Sequence, residues 1–75
     1  MNRDLDDRDA LGRLLTELRK IRGWTQAEVA EQTTMSKATV GEYERGVRRR
    51  TIDRVRELAA VYDATAAELL EDAGL

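Results

Sequence analysis

The stretch Thr25-Gln26-Ala27-Glu28-Val29-Ala30-Glu31-Gln32-Thr33-Thr34-Met35-Ser36-Lys37-Ala38-Thr39-Val40-Gly41-Glu42-Tyr43-Glu44-Arg45-Gly46 decides the fold. Thr25 through Glu28 reads as a capping box, in which the Thr hydroxyl and the Glu carboxylate satisfy each other's orphan amides. It predicts a helix from Gln26 to about Gln32, with Val29 and Ala30 facing inward. Thr33-Thr34-Met35 is a short connection. Ser36 then caps a second helix that places Val40 and Tyr43 on one side and ends at Gly46, after Arg45. Two helices of about two turns each, joined so closely, form a helix-turn-helix, an arrangement that presents its second helix to a DNA major groove.

The flanks extend this unit. Upstream, Leu11, Leu14, Leu15, Leu18 and Ile21 recur at helical spacing and predict a first helix over about Ala10 to Arg22, with Asp9 as N-cap and Gly23 as its stop. Residues 1–8 lack periodicity and read as a flexible arm. Asp4, Asp6 and Asp7 lie there without the Gly turn and distal Glu of a calcium loop, so they read as a solvated tail. Downstream of the loop Val47-Arg48-Arg49-Arg50, Thr51 caps a fourth helix whose buried stripe is Ile52, Val55, Leu58, Ala59 and Tyr62, broken at Asp63-Ala64. Thr65 to Glu68 is a second capping box, and it opens a short fifth helix that returns Leu69 and Leu70 to the core. No segment alternates like a strand, and neither a repeat nor a linker divides the chain. The expected fold is all-α, a compact five-helix bundle forming one domain over residues 9–75.

Composition agrees with a small folded domain: 75 residues, 41% hydrophobic, 37% charged and no Pro. A chain this size buries only about 60% of its unfolded surface, so modest stability is expected. The length predicts a whole single-domain product with no room for an added effector domain. Without Cys or His, the chain lacks a disulfide framework, the usual zinc ligands, a thiol nucleophile and the commonest general base. No paired carboxylates stand at a readable spacing either. The expectation is a protein that is not an enzyme and needs no metal or cofactor. No apolar run approaches membrane-spanning length and no signal-peptide core is visible, which predicts a soluble, cytoplasmic, nucleoid-associated protein.

Net charge argues at first against a nucleic-acid partner, since 13 basic and 15 acidic residues give −2 and a pI near 5.1. The distribution is uneven. Residues 1–36 carry −1. Residues 37–56 carry +4, from seven basic residues (Lys37, Arg45, Arg48, Arg49, Arg50, Arg54, Arg56) against Glu42, Glu44 and Asp53. Residues 57–75 carry −5, with no basic residue. A basic block thus spans the second helix of the motif, the Arg loop and the start of the fourth helix, and an acidic block closes the chain.

From Leu11 to Leu70 the chain resembles the Cro/C1-type, or XRE, helix-turn-helix family. The residues that carry the resemblance are Thr25-Gln26 with Val29-Ala30, Met35-Ser36 with Val40, Tyr43-Glu44 with Gly46, Thr51, and the closing Ala66-Ala67-Glu68-Leu69-Leu70. The resemblance implies a lambda-repressor-like bundle and a sequence-specific transcription regulator. Two positions depart from the family pattern. Thr34 stands where the family usually has Gly in the turn, which predicts a variant turn geometry, because a left-handed φ is costly for Thr. Arg49-Arg50 stands where Asn-Pro or a similar pair is frequent.

The resemblance also implies roles. Lys37, Ala38 and Glu42 occupy base-reading positions. Lys37 suits guanine O6 and N7, Ala38 suits a thymine methyl, and Glu42 suits cytosine N4 or acts by exclusion. Arg48 is a further candidate for a base edge. Gln26, Ser36, Thr39, Arg45, Arg49 and Arg50 are the phosphate candidates, with Ser36 also serving as a cap. Arg19 and Glu44 are expected to form a structural ion pair. Trp24 reads as partly buried core. Gly41, costly inside a helix, predicts a close approach of backbone to DNA or to a neighbouring helix.

The expected partner is double-stranded DNA, bound by a homodimer on a palindromic site with half-sites about 34 Å apart. A dimer surface is expected around the fourth and fifth helices, where Tyr62 or Leu75 contributes. The acidic last third is a candidate surface for a protein partner. The rival reading is a protein-interaction module, antitoxin- or adaptor-like, that reuses the fold without DNA. Such a module has no need of Arg48 to Arg50 beside Lys37.

Overall fold

The computed structural model describes the backbone of residues 3–74 and the side chains of residues 10–74. Five helices succeed one another: α1 (Arg3–Ile21), α2 (Gln26–Glu31), α3 (Lys37–Arg45), α4 (Ile52–Val61) and α5 (Ala66–Asp72). No strand occurs among the described residues.

Local chemistry sets most of the helix starts. Thr25, Ser36, Thr51 and Thr65 all adopt extended backbone, and the hydroxyl of each accepts from the amide three residues on. In α2 and α5 the carboxylates of Glu28 and Glu68 complete the box by accepting from the Thr25 and Thr65 amides at 3.0 Å. Gly46 ends α3 with a left-handed φ of 70°, a conformation that costs Gly nothing. Asp63, with φ 55°, turns the chain after α4. Asp tolerates this region better than most residues.

The first helix starts earlier than its apolar stripe suggests. α1 begins at Arg3, so Asp9 lies within the helix rather than capping it, and the segment expected as an arm is helical from Arg3 onward. Asp4, Asp6 and Asp7 occupy the opening turns, where the helix dipole favours negative charge, and no Pro or Gly interrupts the run. Met1 and Asn2 lie outside the described residues, as does Leu75 with its expected share in a dimer surface.

One core joins all five helices. It is formed by Leu11, Leu15, Val29, Met35, Val40, Tyr43, Val55, Leu58, Ala59, Val61, Tyr62 and Leu69, with Leu14, Leu18, Trp24, Ala30 and Leu70 packed around them. Each fully buried Leu or Val contributes about 1.5–3 kcal/mol relative to exposure. Two members of the expected stripes are not in this core. Ile21 is 78% exposed and Ile52 is 53% exposed. Ile21 is the last residue of α1 and Ile52 the first of α4, so each keeps the period of its helix at a point beyond the packed surface. Tyr62 is the opposite case. It is 6% exposed and stacks on Trp24, with ring centroids 6.1 Å apart, so it belongs to the core and not to a dimer surface. Arg22 lies over both rings.

Two helices come into unusually close contact. Gly12 on α1 sits against α3, and a methyl group there would lie 3.0 Å from the Tyr43 carbonyl oxygen and closer still to that of Glu44. Without a side chain at Gly12, α3 can lie directly on α1.

Candidate nucleic-acid interface

The candidate surface is the outer side of α3, and its placement depends on one carboxylate. Glu44 Oε2 accepts from Arg19 Nε at 2.8 Å, and Glu44 Oε1 accepts from Arg19 Nη2 and from Gln26 Nε2, both at 3.1 Å. Arg19 Nη1 also donates to the Trp24 carbonyl at 2.9 Å. Arg19 and Glu44, expected to pair, are thus brought together, and Gln26 joins them. The side chains are only 14% and 5% exposed. The hydrogen bond to Glu44 raises the Arg19 guanidinium above its ordinary value, against an opposing effect of burial. α1, α2 and α3 therefore meet at a fixed angle, set by a planar fork on a carboxylate.

α3 then displays its outer residues. Lys37 and Ala38 are exposed, and Thr39 is half-buried. The Ser36 hydroxyl accepts from the Thr39 amide and donates to Thr39 Oγ1, both at 3.1 Å, so the cap is made within the protein. Beside them is an open depression of about 410 Å³, lined by Gln26, Lys37, Ala38, Gly41, Glu42 and Arg45. Gly41 makes its floor. A methyl group there would come within 3.1 Å of Arg45 Nη1 and 3.3 Å of Gln26 Oε1. Side chains of α2 and α3 thus come close to the Gly41 backbone.

The cations divide into two groups. Arg48 pairs with Glu42 at 3.3 Å, Arg54 with Glu57 at 2.9 Å and Arg56 loosely with Asp53 at 3.9 Å. Among the described residues, Lys37, Arg45, Arg49 and Arg50 have no carboxylate partner. Arg45 and Arg49 are exposed. Arg50 is half-buried, and its Nη1 is shielded from solvent with no hydrogen-bond partner among the described residues. The loop that carries Arg49 is anchored by the Tyr43 hydroxyl, which donates to the Arg49 carbonyl at 3.4 Å.

A second network holds the turn between α2 and α3. Thr34 has no left-handed φ, since Asp63 alone adopts one among the described residues other than Gly. Side chains hold the turn instead. The Thr33 hydroxyl donates to the Ala30 carbonyl and accepts from the Met35 amide, both at 3.0 Å. The Thr34 amide and hydroxyl both donate to Glu57 Oε1 at 2.7 Å, and Arg54 Nη1 donates to Thr34 Oγ1 at 2.7 Å and to Glu57 Oε2 at 2.9 Å. The Thr34 amide and hydroxyl, with help from Arg54, hold the Glu57 carboxyl below the ordinary carboxylate value. The sequence alone does not single out Glu57 or Arg54. Thr34 is the one available signal, as a residue other than Gly in a tight turn that requires another means of support.

Among the described residues, no group of acidic side chains is placed to hold a metal ion, and no helix is long and apolar enough to cross a membrane.

The geometry has known counterparts. A family model described as a helix-turn-helix domain matches residues 10–71. The HTH-type transcriptional regulator AnsR of Bacillus subtilis is 39% identical over 56 residues, which are 75% of this chain and 48% of that protein. The chain thus spans about half the length of this relative. The crystal structure of the clp gene regulator ClgR from Corynebacterium glutamicum superposes with a TM-score of 0.81 at 29% identity, covering 91% of this chain and 72% of that one. An HTH_3 family transcriptional regulator from Vibrio cholerae gives a TM-score of 0.80 at 29% identity, covering 92% and 39%.

Proposed function

The chain belongs to the helix-turn-helix domain family, and from that premise we propose that it is a transcription regulator that binds specific DNA through α3. The observation that carries the reading is the arrangement of unpaired cations. Lys37, Arg45 and Arg49 stand exposed on or beside an α3 that Glu44 fixes from behind.

In this reading α3 enters the major groove. Lys37 donates to guanine, and Ala38 and the Gly41 depression admit a thymine methyl group. Arg45, Arg49 and Arg50 neutralise phosphates, and the Thr39 hydroxyl and Gln26 amide donate to the backbone at the groove edge. Ser36 opens the helix whose first amides face the duplex. Glu44 holds Gln26, so it sets phosphate contact and helix angle together.

The reading extends to a homodimer on a palindromic operator, with half-sites about 34 Å apart. Val47 and Ile52, 62% and 53% exposed on either side of the Arg loop, offer apolar surface to a second copy. Asp63, Glu68, Glu71 and Asp72 are exposed at the end of the chain, where negative charge lowers affinity for non-specific DNA.

Selection of binding sites from random duplexes, and then titration at two salt concentrations, tests the proposal. Enrichment of one palindromic sequence with salt-sensitive affinity is the expected result. A protein that enriches no sequence and binds no duplex in a salt-dependent way is the interaction module instead.

A further inference from the structure

Glu42 and Arg48 hold each other on the face of α3 that borders the depression. Arg48 Nη1 donates to Glu42 Oε2 at 3.3 Å, although Arg48 lies six residues on, in the loop after α3. The side chains are 48% and 33% exposed, and an ion pair this exposed contributes little to stability. The pairing leaves valences open. Among the described residues, Glu42 Oε1 and the remaining Arg48 donors have no partner. The surface therefore presents a free acceptor on Glu42, which borders the depression with Lys37 and Gly41, and free donors on its partner Arg48.

We infer that Glu42 and Arg48 read one C·G base pair as a single unit, a refinement that rests on the proposed DNA-binding function. In the major groove a C·G pair offers the cytosine N4 amino donor beside the guanine O6 and N7 acceptors. Glu42 accepts from N4, and the Arg48 fork donates to O6 and N7. The other base pairs match less well. Thymine in the cytosine position brings its O4 acceptor against the carboxylate, and its partner adenine sets an amino donor against Arg48. Thymine in the guanine position offers Arg48 one acceptor and a methyl group in place of two acceptors. A reversed G·C pair sets acceptor against acceptor. The protein-side pair also explains how a carboxylate is tolerated near phosphates, since its charge is compensated before DNA arrives. Holding Arg48 in place beforehand reduces the side-chain freedom lost on binding.

The test uses the full chain and its selected operator, together with duplexes carrying each of the other three base pairs at the assigned position, titrated at one salt concentration. Wild type, Glu42→Ala, Arg48→Ala and the double variant are compared. Each single variant is expected to lose roughly tenfold of the preference for C·G, at the same position, from the range for one good base contact. The double variant is expected to lose no more than the worse single one, as coupled residues do. Melting temperatures should stay at the wild-type value. Two results overturn the inference and leave DNA binding intact. One is loss of preference at two different positions. The other is Glu42→Ala tightening all four duplexes equally, which makes Glu42 a repelling charge only. Failure of wild type to enrich any sequence, with no salt-dependent binding, overturns both readings.

Discussion

Arg19 and Glu44, 25 residues apart in the chain, are joined by two parallel hydrogen bonds of 2.8 and 3.1 Å, and the same carboxylate accepts a third from Gln26. Removing either partner leaves the other charged, nearly buried and without its counter-charge, although Glu44 keeps its bond from Gln26 and Arg19 its bond to the Trp24 carbonyl. Arg19→Ala or Glu44→Ala is expected to cost on the order of 3 kcal/mol, a fall in melting temperature of about 12–24 °C for a domain of this size. Arg19→Lys should recover only part of the loss, because an ammonium cannot replace the fork. Thermal unfolding monitored by circular dichroism decides the matter. A loss below about 1 kcal/mol would place the pair with ordinary surface pairs.

Gly12→Ala gives a sign test. Helix propensity alone makes Ala better than Gly by about 1 kcal/mol inside a helix. The added methyl would meet the carbonyl oxygens of Tyr43 and Glu44, which are backbone atoms and cannot turn aside. Overpacking of this kind costs about 1–3 kcal/mol, so the variant should be destabilised in urea. A gain in stability would show that α1 and α3 separate without cost.

Specificity and affinity should divide between two residues. Lys37→Ala is expected to flatten the preference at one operator position while leaving binding to unrelated duplexes unchanged. Arg49→Ala should weaken all sequences alike and reduce the slope of log affinity against log salt by about 0.9. Anisotropy titrations at several salt concentrations separate the two. The assignment fails if Arg49→Ala changes sequence preference and leaves the salt slope intact.

Acid and alkali should act on different parts of the fold. Glu57 titrates below its ordinary value of 4.5 because Thr34 and Arg54 hold its charged form. Its contribution is therefore complete above the unfolded value and is lost as pH falls through the lower, folded one. Tyr62 is pushed up to about 12, chiefly by burial and next by the Glu44 charge. Between about pH 10 and 12 the unfolded chain releases this proton and the folded one keeps it, so stability falls as pH rises. Urea midpoints against pH should show both limbs. Glu57→Gln should flatten the acid limb and Tyr62→Phe the alkaline one, and an unchanged profile in either variant refutes that assignment.

What could be read from the sequence was local. Thr25, Ser36, Thr51 and Thr65 announce their helices because a cap and its amide partner lie three residues apart. Gly46 marks the end of α3 for the same kind of reason. Arg19 and Glu44 are distant in sequence, and it was a family resemblance that suggested their pairing. Ile21 and Ile52 keep the apolar period faithfully, yet periodicity does not say where a helix leaves the core. Asp9 resembles a cap, but nothing upstream of it breaks a helix. Arg54 and Glu57 lie 20 and 23 residues from Thr34. Only the packing of α4 beside the turn makes them its support.

The Thr34 turn bears on how far this motif can be treated as a portable part. A turn built on Gly carries its conformation in its own backbone and can be moved between proteins with its two helices. Here the Thr33 hydroxyl supplies part of the support from within the motif, and the rest is lent by Glu57 and Arg54 on α4. A graft of residues 25–46 into another scaffold would leave that support behind. Any redesign of DNA specificity in this chain is better made by changing the outer residues of α3 in place.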